Sequence, residues 1–513
     1  MLQTRLFPSP NHQPLSIPLS ILDATVARFT PTGAIWVFDA FTSNETVFLE
    51  YLQTSFTTTL NSFPHWAGQL QWTQFHPEGD HTQRSHRPMV AYNTESDPGV
   101  EWNIVKHARP LESLAPTATQ RASTGIWVGD AFAQNILLSQ TQLALHNLHD
   151  WKGLPSMTVQ INLFNDGGFA VGMQIAHCLA DAQALMVFVH QWAATCRTLH
   201  GQQDSISLMG EPVFQPSMLD SQADGDIDAK EPNPVLTKTA RDLPLHRFDW
   251  WKMSDPGYPP FLIPTTENSK PSPECLAKNA VLSPSQSPPW KTWDLTRPIS
   301  YAKVHFTDEE LGRIRDIARA GCNGSTISRL DALLAHTWAA ISRARGLIDS
   351  SEEVFLNVTL SARPRVSPPL PDSFIGSPIF LTHIRNQGSV ACTASVGETA
   401  SQLRETIRLF TPEKVGAILH DAAHEVAPQR LWQGFLGTRH TLVTSWLRLG
   451  MYEVDFEGRG QTPRYAHAVM PKMDGCVQVM DSGTDDGGVD LALYLDVEAM
   501  GKLLEDGRLR VLS

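Results

Sequence analysis

The spacing of hydrophobic positions changes once between residues 157 and 196. Apolar and polar residues alternate from Val159 to Leu163 and again from Val171 to Ile175, on either side of the turn-forming run NDGG. A period of two is typical of strands, so this segment is predicted to form a β-hairpin. After Asp181 apolar residues recur every three or four positions, which predicts a helix. A strand is therefore expected to run into a helix across residues 177 to 181.

The same periodicities predict elements elsewhere in the chain. Apolar residues at helical spacing predict a helix over residues 47 to 63. A strand from Tyr301 to Phe306 is followed by predicted helices over 308 to 320 and 326 to 345, the second with Ser325 and Thr326 as cap candidates. Strands and helices thus mix in both halves of the chain, which indicates an α/β or α+β protein.

A chain of 513 residues is too long for one ordinary hydrophobic core, so we expect two domains with a cleft between them. Between about residues 205 and 300 the regular spacing of hydrophobic residues is lost, and Pro, Ser, Asp and Gly are frequent. We therefore predict an N-terminal lobe over 1–210, a Pro-rich crossover over 211–300 and a C-terminal lobe over 301–513.

Composition narrows the possible functions. The net charge of -13, without a sustained Lys/Arg run, argues against a nucleic-acid or anionic-membrane partner. The six cysteines are far apart and show no metal-type spacing, which favours reduced thiols. No apolar run of about 18 residues predicts a membrane span, and the first residues lack the apolar core of a signal peptide. We expect a cytoplasmic monomer without a bound metal or a permanently bound cofactor.

His177 is the first candidate for chemistry. Strand parity places it on the inward face with Val171, Met173 and Ile175, four residues before Asp181. A histidine held in one tautomer at a cleft can act as a general base. A histidine that only fills the core, with Asp181 as a helix N-cap, fits the same pattern.

The chain resembles the BAHD acyltransferases, in particular their filamentous-fungal branch, over nearly its whole length. The HxxxD signature of that family corresponds to HCLAD, residues 177 to 181, after GGFAVG. Family-like blocks follow in the expected order: PLSILDATVARF and LNSFPHWAGQL before it, then ISRLDALLAHTWAAISRAR, SARPRVSPPLPDSFIGSP and TSWLRLGMYEVDFEGRG after it. A single HxxxD is a weak signal, whereas six blocks in order are a strong one.

Two positions depart from the family pattern. Ala182 stands where a glycine is usual, and the second signature, DFGWG, reads DFEGRG from Asp455 to Gly460, with one extra residue and no tryptophan. The resemblance implies that this second motif supports the architecture away from the chemical centre. Asp455, Gly458 and Gly460 are therefore expected to be structural, with Phe456 in the core.

The resemblance implies two chloramphenicol-acetyltransferase-like lobes with a channel at their interface and His177 at its middle. Acyl-CoA, most commonly acetyl-CoA, is the implied co-substrate, and a small-molecule alcohol from secondary metabolism is the implied acceptor; an amine is the alternative. His177 is then the general base. Asp181 pairs with an arginine, for which Arg363 is the first choice and Arg365 the second. Thr444 and Ser445 are candidates for CoA or oxyanion contacts, or else ordinary strand residues.

Rival interpretations of several motifs remain open from the sequence. His420 and His424, at i and i+4, have a spacing that can bind zinc, although a solvated helix face is the simpler explanation. The run SGTDDGG over 482 to 488 lacks the lysine of a phosphate loop and predicts a hairpin turn. A carrier-dependent condensation enzyme and a non-catalytic binding protein share the fold; Ala176 and Ala182 count against the first and His177 against the second.

Overall fold

Two large mixed β-sheets, each packed against helices, form the framework of the protein. A computed structural model describes residues 2–9, 13–41, 43–84, 86–202, 209–271, 273, 282–322 and 326–511. The first sheet has six strands in the order Leu2–Leu6, Val100–His107, Met157–Phe164, Phe169–Ile175, Thr32–Phe38 and Tyr465–Ala468. The second has seven in the order Ile379–Gln387, Glu353–Ser361, His440–Ser445, Cys476–Asp481, Val489–Asp496, Ile299–Phe306 and Ile126–Val128.

Smaller elements surround these sheets. A three-stranded sheet orders Leu15–Pro18, Pro88–Tyr92 and Gln69–Trp72, and a two-stranded one pairs Phe248–Asp249 with Leu431–Trp432. The α-helices are Ile21–Thr25, Glu45–Leu60, Ala118–Thr124, Ala182–Leu199, Ser217–Asp220, Pro234–Arg241, Ile263–Asn268, Asp308–Ala320, Arg329–Ala344, Gly388–Thr393, Val396–Arg408, Pro412–Ala423 and Val497–Glu505. The mixed architecture confirms the predicted fold class. Among the described residues, no helix is long and apolar enough to cross a membrane.

The predicted hairpin is present, with Met157–Phe164 antiparallel to Phe169–Ile175. Its strands are buried on both faces, although the alternating pattern led us to expect one inward face. Segment 134–138 covers the second face, where the amide groups of Gln160 and Asn162 donate hydrogen bonds to its carbonyls. Polar residues on a strand can thus be buried once a neighbouring loop satisfies them.

The helix predicted over 326 to 345 begins later than expected. Its N-cap is Ser328, whose hydroxyl accepts a hydrogen bond from the backbone N–H of Asp331 in a capping box, so Thr326 was the wrong cap candidate. Ser325 lies outside the described residues. The early helix spans Glu45–Leu60, and the second-lobe strand Ile299–Phe306, close to their predicted bounds.

The two large sheets exchange one edge strand each. Ile126–Val128, from the N-terminal part of the chain, pairs with the second sheet, and Tyr465–Ala468, from the C-terminal part, pairs with the first. The hydroxyl groups of Tyr301 and Tyr465 lie 2.9 Å apart where the exchanged strands pass each other. The division at residues 210 and 300 stays a prediction, and chain segments from both sides of it build both sheets.

The described part of the 211–300 segment contains short helices instead of a bare linker. Its aromatic residues Phe248, Tyr258 and Trp290 form a buried cluster with Phe435. Trp250, Trp293 and Trp432 pack against that cluster. The crossover therefore supplies a folded aromatic wall.

Candidate active site

His177 follows the first-sheet strand that ends at Ile175. The chain turns there, because the N–H of Leu179 donates a hydrogen bond to the carbonyl of Ala176, 2.9 Å away. The prediction by strand parity assumed that the strand continues through residues 177 and 178. It does not, because the strand ends at Ile175. The His177 ring is half-buried and meets Phe29 edge to face, with ring centroids 5.4 Å apart.

A serine 200 positions further along the chain fixes the His177 ring. Nδ1 of His177 lies 3.1 Å from Oγ of Ser377, and that hydroxyl donates its proton to the carbonyl of His177. Because the hydroxyl proton is used, Nδ1 must carry a hydrogen and donate it to Oγ. Nε2 is then the unprotonated nitrogen, and no described residue is hydrogen-bonded to it. Burial lowers the pKa of His177 below its usual value, which favours this neutral form.

Ser377 is itself held by Asp23, a residue that sequence reasoning missed. The Ser377 N–H donates to Oδ1 of Asp23 at 2.6 Å, and the Ser20 hydroxyl donates to Oδ2 at 2.6 Å. Burial raises the pKa of Asp23 to about 6. Gly376, at φ 145°, lets the backbone approach, because a Cβ there would lie 3.0 Å from Oδ1 of Asp23. The available signal was that Asp23 and Ser377 both lie within family-like blocks of the sequence.

The carboxylate of Asp181 is paired with Arg363, as expected, and Arg365 is not its partner. Nη1 of Arg363 lies 2.5 Å from Oδ2 and Nη2 lies 3.0 Å from Oδ1, so the contact is bidentate. Oδ1 also accepts from the backbone N–H of Ala184 and caps the following helix. Arg365 instead donates to the carbonyl of Ser361. Asp181 therefore connects the first turn of the helix Ala182–Leu199 to Arg363, which follows the strand Glu353–Ser361 of the second sheet.

Two cavities meet at His177. The polar cavity, about 290 Å³, is lined on its far side by residues such as Gln183, Ser445 and Gln478. The aromatic cavity, about 260 Å³, is lined on its far side by Trp250, Trp290, Trp293, Trp432 and Phe261. Both cavities are bordered by Thr30, His177, Thr359, Ile379, Thr444 and Met470. His177 thus lies where two differently lined openings converge.

A long groove of about 930 Å³ continues from the polar cavity, with which it shares Ser445 and Leu447. Arg329 and Arg448 lie along this groove. Thr444 and Ser445 end the strand His440–Ser445, so the structure places both near His177 as lining residues. Thr444 borders both cavities, whereas Ser445 borders the polar cavity and the groove.

Cys178 is buried, although its neighbour His177 borders both cavities. Burial raises the pKa of its thiol well above the usual range, so the reactive thiolate is disfavoured. Cys196, Cys392 and Cys476 are free thiols like Cys178, and Cys275 lies outside the described residues.

The altered second motif forms an ordered loop around Asp455. Oδ1 of Asp455 accepts from the backbone N–H groups of Glu457 and Gly458, and Oδ2 accepts from that of Gly460 at 2.8 Å. Gly458 and Gly460 have φ of 73° and 72°, which favour glycine. Phe456 is buried, 4.6 Å from the ring of Trp192. This loop borders none of the three openings described above.

The two-histidine spacing has a structural explanation. Nδ1 of His420 faces the carbonyl of Asp224 at 2.7 Å, and its Nε2 accepts from the N–H of Asn233 at 2.9 Å. The ring nitrogens of His424 face the carbonyls of His420 and Ala229. No cluster of three metal-ligating side chains occurs among the described residues. The SGTDDGG run connects two antiparallel strands, as predicted.

Comparison of the sequence with known proteins finds a family profile and related acyltransferases. The sequence profile of the Transferase family matches residues 129–245 and 266–509. Acyltransferase AFT15-1 of Alternaria alternata is 25% identical over 517 residues, covering 97% of this chain and 94% of that protein. Acyltransferase abl6 of Leptosphaeria maculans is 25% identical over 447 residues, covering 85% and 81%.

Solved structures share the fold at low sequence identity. TRI101 of F. graminearum, complexed with coenzyme A and deoxynivalenol, is 18% identical with a TM-score of 0.67, covering 96% of this chain and 98% of that one. Vinorine synthase is 16% identical with a TM-score of 0.57, covering 98% and 95%.

Proposed function

Because the chain belongs to the Transferase family of BAHD acyltransferases, we propose that it transfers an acyl group, acetyl in the first instance, from coenzyme A to a hydroxyl of a small secondary metabolite. The observation that carries this proposal is the position of His177, whose free Nε2 lies at the junction of two cavities. One cavity can then hold the thioester and the other the acceptor. TRI101, which shares the fold, was solved with coenzyme A.

His177 acts as the general base in this reaction. Nε2 takes the hydroxyl proton while the acceptor oxygen attacks the thioester carbonyl carbon, since an alcohol alone is too weak a nucleophile. The tetrahedral intermediate collapses with cleavage of the carbon–sulfur bond, and the departing CoA thiolate takes the proton from the imidazolium. Ser377 keeps the ring in the required tautomer throughout. Asp181 supports the site through Arg363 and does not touch the reacting atoms.

We assign the long groove and the polar cavity to coenzyme A. Ser445 and Leu447 connect the two spaces, so a pantetheine arm can pass from the groove towards His177. Arg329 and Arg448 are the two arginines along the groove that can pair with the phosphates, although Glu453, Asp481 and Asp485 also line it and Arg329 forms an ion pair with Asp308. Thr444, which borders both cavities, is the preferred donor to the developing oxyanion, with Ser445 as the second candidate.

An alcohol fits the aromatic cavity better than a cationic amine does. Some relatives are named for amine acceptors, including putrescine hydroxycinnamoyltransferase 1 of rice. Among the described residues, the lining of the aromatic cavity in this chain includes no carboxylate that would balance an ammonium group. O-acylation is therefore the proposed reaction.

The test is a screen of the purified protein with acetyl-, malonyl- and longer acyl-CoAs against a panel of alcohols and amines, with free CoA and acylated product detected by mass spectrometry. His177→Ala should lower kcat by about 10²- to 10⁴-fold, the usual contribution of general-base catalysis. Failure of every donor to release CoA in the presence of acceptors, or an unaffected His177→Ala variant, would contradict the proposal.

Transfer is direct, within a ternary complex, and Cys178 is not acylated. Its thiol is buried and protonated, so Cys178→Ser should keep most activity and serves as the matched control for His177→Ala. Initial-rate plots should intersect. A rapidly formed acyl adduct on the intact protein that disappears in Cys178→Ser and is discharged by acceptor would show a ping-pong mechanism instead.

A further inference from the structure

The charge of the aromatic cavity is unusual for this acidic protein. The whole chain carries a formal net charge of -13, yet among the described residues that line this cavity Arg28 is the one charged at every physiological pH, and none is acidic. The remaining polar lining consists of neutral groups, such as threonine hydroxyls and His177. A solute in this cavity therefore meets aromatic rings and a single positive charge.

Among the described residues, Arg28 interacts with the neutral hydroxyl group of Tyr258 and has no acidic partner of its own. No described carboxylate lies within 4.0 Å of its guanidinium, and its buried Nη1 donates no hydrogen bond to a described group. Nη2 donates to the hydroxyl of Thr266 at 2.7 Å, and the guanidinium carbon lies 4.1 Å from the ring centroid of Trp250. Asp249, whose charge acts on Arg28, forms its own ion pair with Arg430 at 2.7 Å.

The location of Arg28 connects it to the reaction. Phe29, the next residue, meets the His177 ring edge to face, and Trp250 belongs to the aromatic wall. Arg28 thus lines the same cavity as the candidate base, on a wall of aromatic rings. Burial of a guanidinium without a counter-charge is unfavourable, and a ligand anion in the cavity would supply that charge.

Building on the proposed function, we propose that the acceptor is an apolar hydroxy compound that carries an anionic group, a carboxylate in the simplest case, and that Arg28 selects it. The apolar body packs against the tryptophan side chains, the hydroxyl reaches Nε2 of His177, and the anion pairs with the guanidinium. The same charge disfavours cationic amines.

The first test measures binding to the unmodified protein, so it needs no catalysis. The probes are ω-hydroxydecanoate, its methyl ester and the corresponding amino alcohol, with shorter and longer homologues to match the cavity; calorimetry and quenching of tryptophan fluorescence give Kd. At neutral pH we expect the acid to bind about 10- to 100-fold more tightly than the ester, the range of a hydrogen bond to a charged group, and the amino alcohol to bind most weakly.

The second test changes the charge at position 28. Arg28→Gln should bring the ratio of the acid and ester Kd values close to one, Arg28→Lys should keep part of the preference, and Arg28→Glu should reverse the order of acid and amino alcohol. Arg408→Gln, a change at an exposed arginine on the second lobe, should keep the order of the unmodified protein. Thermal unfolding checks that each variant is folded. If a variant is not folded, the order of the three Kd values measured on the unmodified protein still tests the proposal.

The outcomes separate this inference from the proposed function. If all three probes bind equally or none binds, or if the preference persists in folded Arg28→Gln, Arg28 does not select the acceptor and serves only to hold Thr266 and Trp250. Acyl transfer to alcohols irrespective of charge would overturn this inference and leave the proposed function standing. Charge-selective binding through Arg28 with no transfer from any acyl-CoA would leave the anion site standing and contradict the proposed function.

Discussion

At the scale of single residues, the chemistry of His177 depends on a hydrogen bond to Ser377, 200 positions away in sequence. The serine hydroxyl gives its proton to the His177 carbonyl and accepts one from Nδ1. One small side chain thereby determines which ring nitrogen can accept a proton. In the proposed mechanism the HxxxD motif supplies the base, and a residue outside the motif gives it the useful tautomer.

Ser377→Ala is expected to lower kcat by about 10- to 100-fold, because a misdirected ring loses alignment with the acceptor. Loss of the Nδ1 partner also destabilises the imidazolium, so the acidic limb of the pH profile should move to lower pH. Rates from about pH 5 to 8 measure both effects. Ser342→Ala, at a buried serine of the helix Arg329–Ala344, is the control, and a similar kcat for the two variants would contradict the positioning role.

The activity of the unmodified protein should decline on the acidic side, with a midpoint below 6.5. Burial lowers the pKa of His177, and only the neutral ring accepts a proton, so the rate is full above that pKa and falls as the pH passes through it. Steady-state rates under conditions where chemistry limits turnover provide the measurement. A flat profile down to about pH 4.5 would remove His177 from the role of base.

Breaking the Asp181–Arg363 pair should destabilise the protein by about 3 to 5 kcal/mol, because each single change leaves one buried charge without its partner. The side chains are 8% and 2% exposed, so water cannot substitute for the lost partner. Asp181→Asn and Arg363→Ala are compared by denaturant unfolding. Arg365→Ala is the matched control, since that guanidinium donates to a single carbonyl. Variants that unfold like the parent would disprove the importance of the pair.

At the scale of elements, the 455–460 loop departs from the family motif in sequence and still adopts a defined, hydrogen-bonded conformation. Three backbone N–H groups converge on the Asp455 carboxylate, and two glycines adopt the positive φ that this convergence needs. Arg197, near the end of the helix Ala182–Leu199, donates to the carbonyl of Asp455 at 2.9 Å. The loop therefore attaches to the helix that begins directly after Asp181.

Asp455→Ala should lower stability by about 1 to 3 kcal/mol, the order of magnitude of hydrogen bonds to a charged group, because three backbone N–H groups lose their acceptor, while the folded fraction keeps its kcat. The loop borders none of the three openings, which is the reason to expect an effect on stability alone. Differential scanning calorimetry and activity at low temperature separate the two quantities. Asp242→Asn, an exposed surface change, is the control. A large fall in kcat in well-folded Asp455→Ala would place the loop in the reaction.

At the scale of the whole molecule, the exchange of edge strands joins the two halves of the chain. Each large sheet contains one strand from the other half, and the Nζ of Lys303 donates to the carbonyl of Ala466 at 3.1 Å where they cross. Burial lowers the pKa of Lys303 to about 7. Hydrogen bonds between polar groups buried at this crossing fix the position of one sheet relative to the other. They therefore also fix the position of the cavities between the sheets.

A second whole-molecule property is sensitivity to acid. His246, His383 and His440 form a cluster in which the rings of His246 and His383 stack with 3.9 Å between their centroids and the His440 ring lies tilted at 5.5 Å from His246, and burial lowers their pKa values to about 2, 4 and 3. In the unfolded chain these rings take up protons below about pH 6.5, whereas in the folded protein they do not until far lower pH. Stability is therefore full above pH 6.5 and falls as the pH decreases, by up to about 1.4 kcal/mol per pH unit for each ring.

Denaturant midpoints measured from about pH 8 to 5 should show this loss below pH 6.5. His246→Phe keeps an aromatic ring in the stack and removes one titrating group, so its midpoint should depend less steeply on pH than that of the parent. His149→Phe, at an exposed histidine, is the matched control. Equal slopes for the parent and His246→Phe would show that the cluster does not govern acid sensitivity.

The sequence alone determined several of the elements and the position of the proposed base. The hairpin and the helix after Asp181 were predicted because periodicity and capping chemistry are expressed by neighbouring residues, whereas the pairing of Asp181 with Arg363, 182 positions further along the chain, was predicted only from the family resemblance. The cap at Ser328 was missed because several polar residues precede that helix and only backbone geometry distinguishes them.

Tertiary structure alone decided what surrounds His177. Ser377 and Asp23 reach the histidine from other parts of the chain, and the aromatic wall comes from a segment whose periodicity predicted only a linker. Contacts between residues far apart in sequence leave no periodic pattern, since they arise from the way the sheets and the crossover pack together. The same packing decided which strands are exchanged and placed Arg28 in a cavity whose described lining residues include no acidic group.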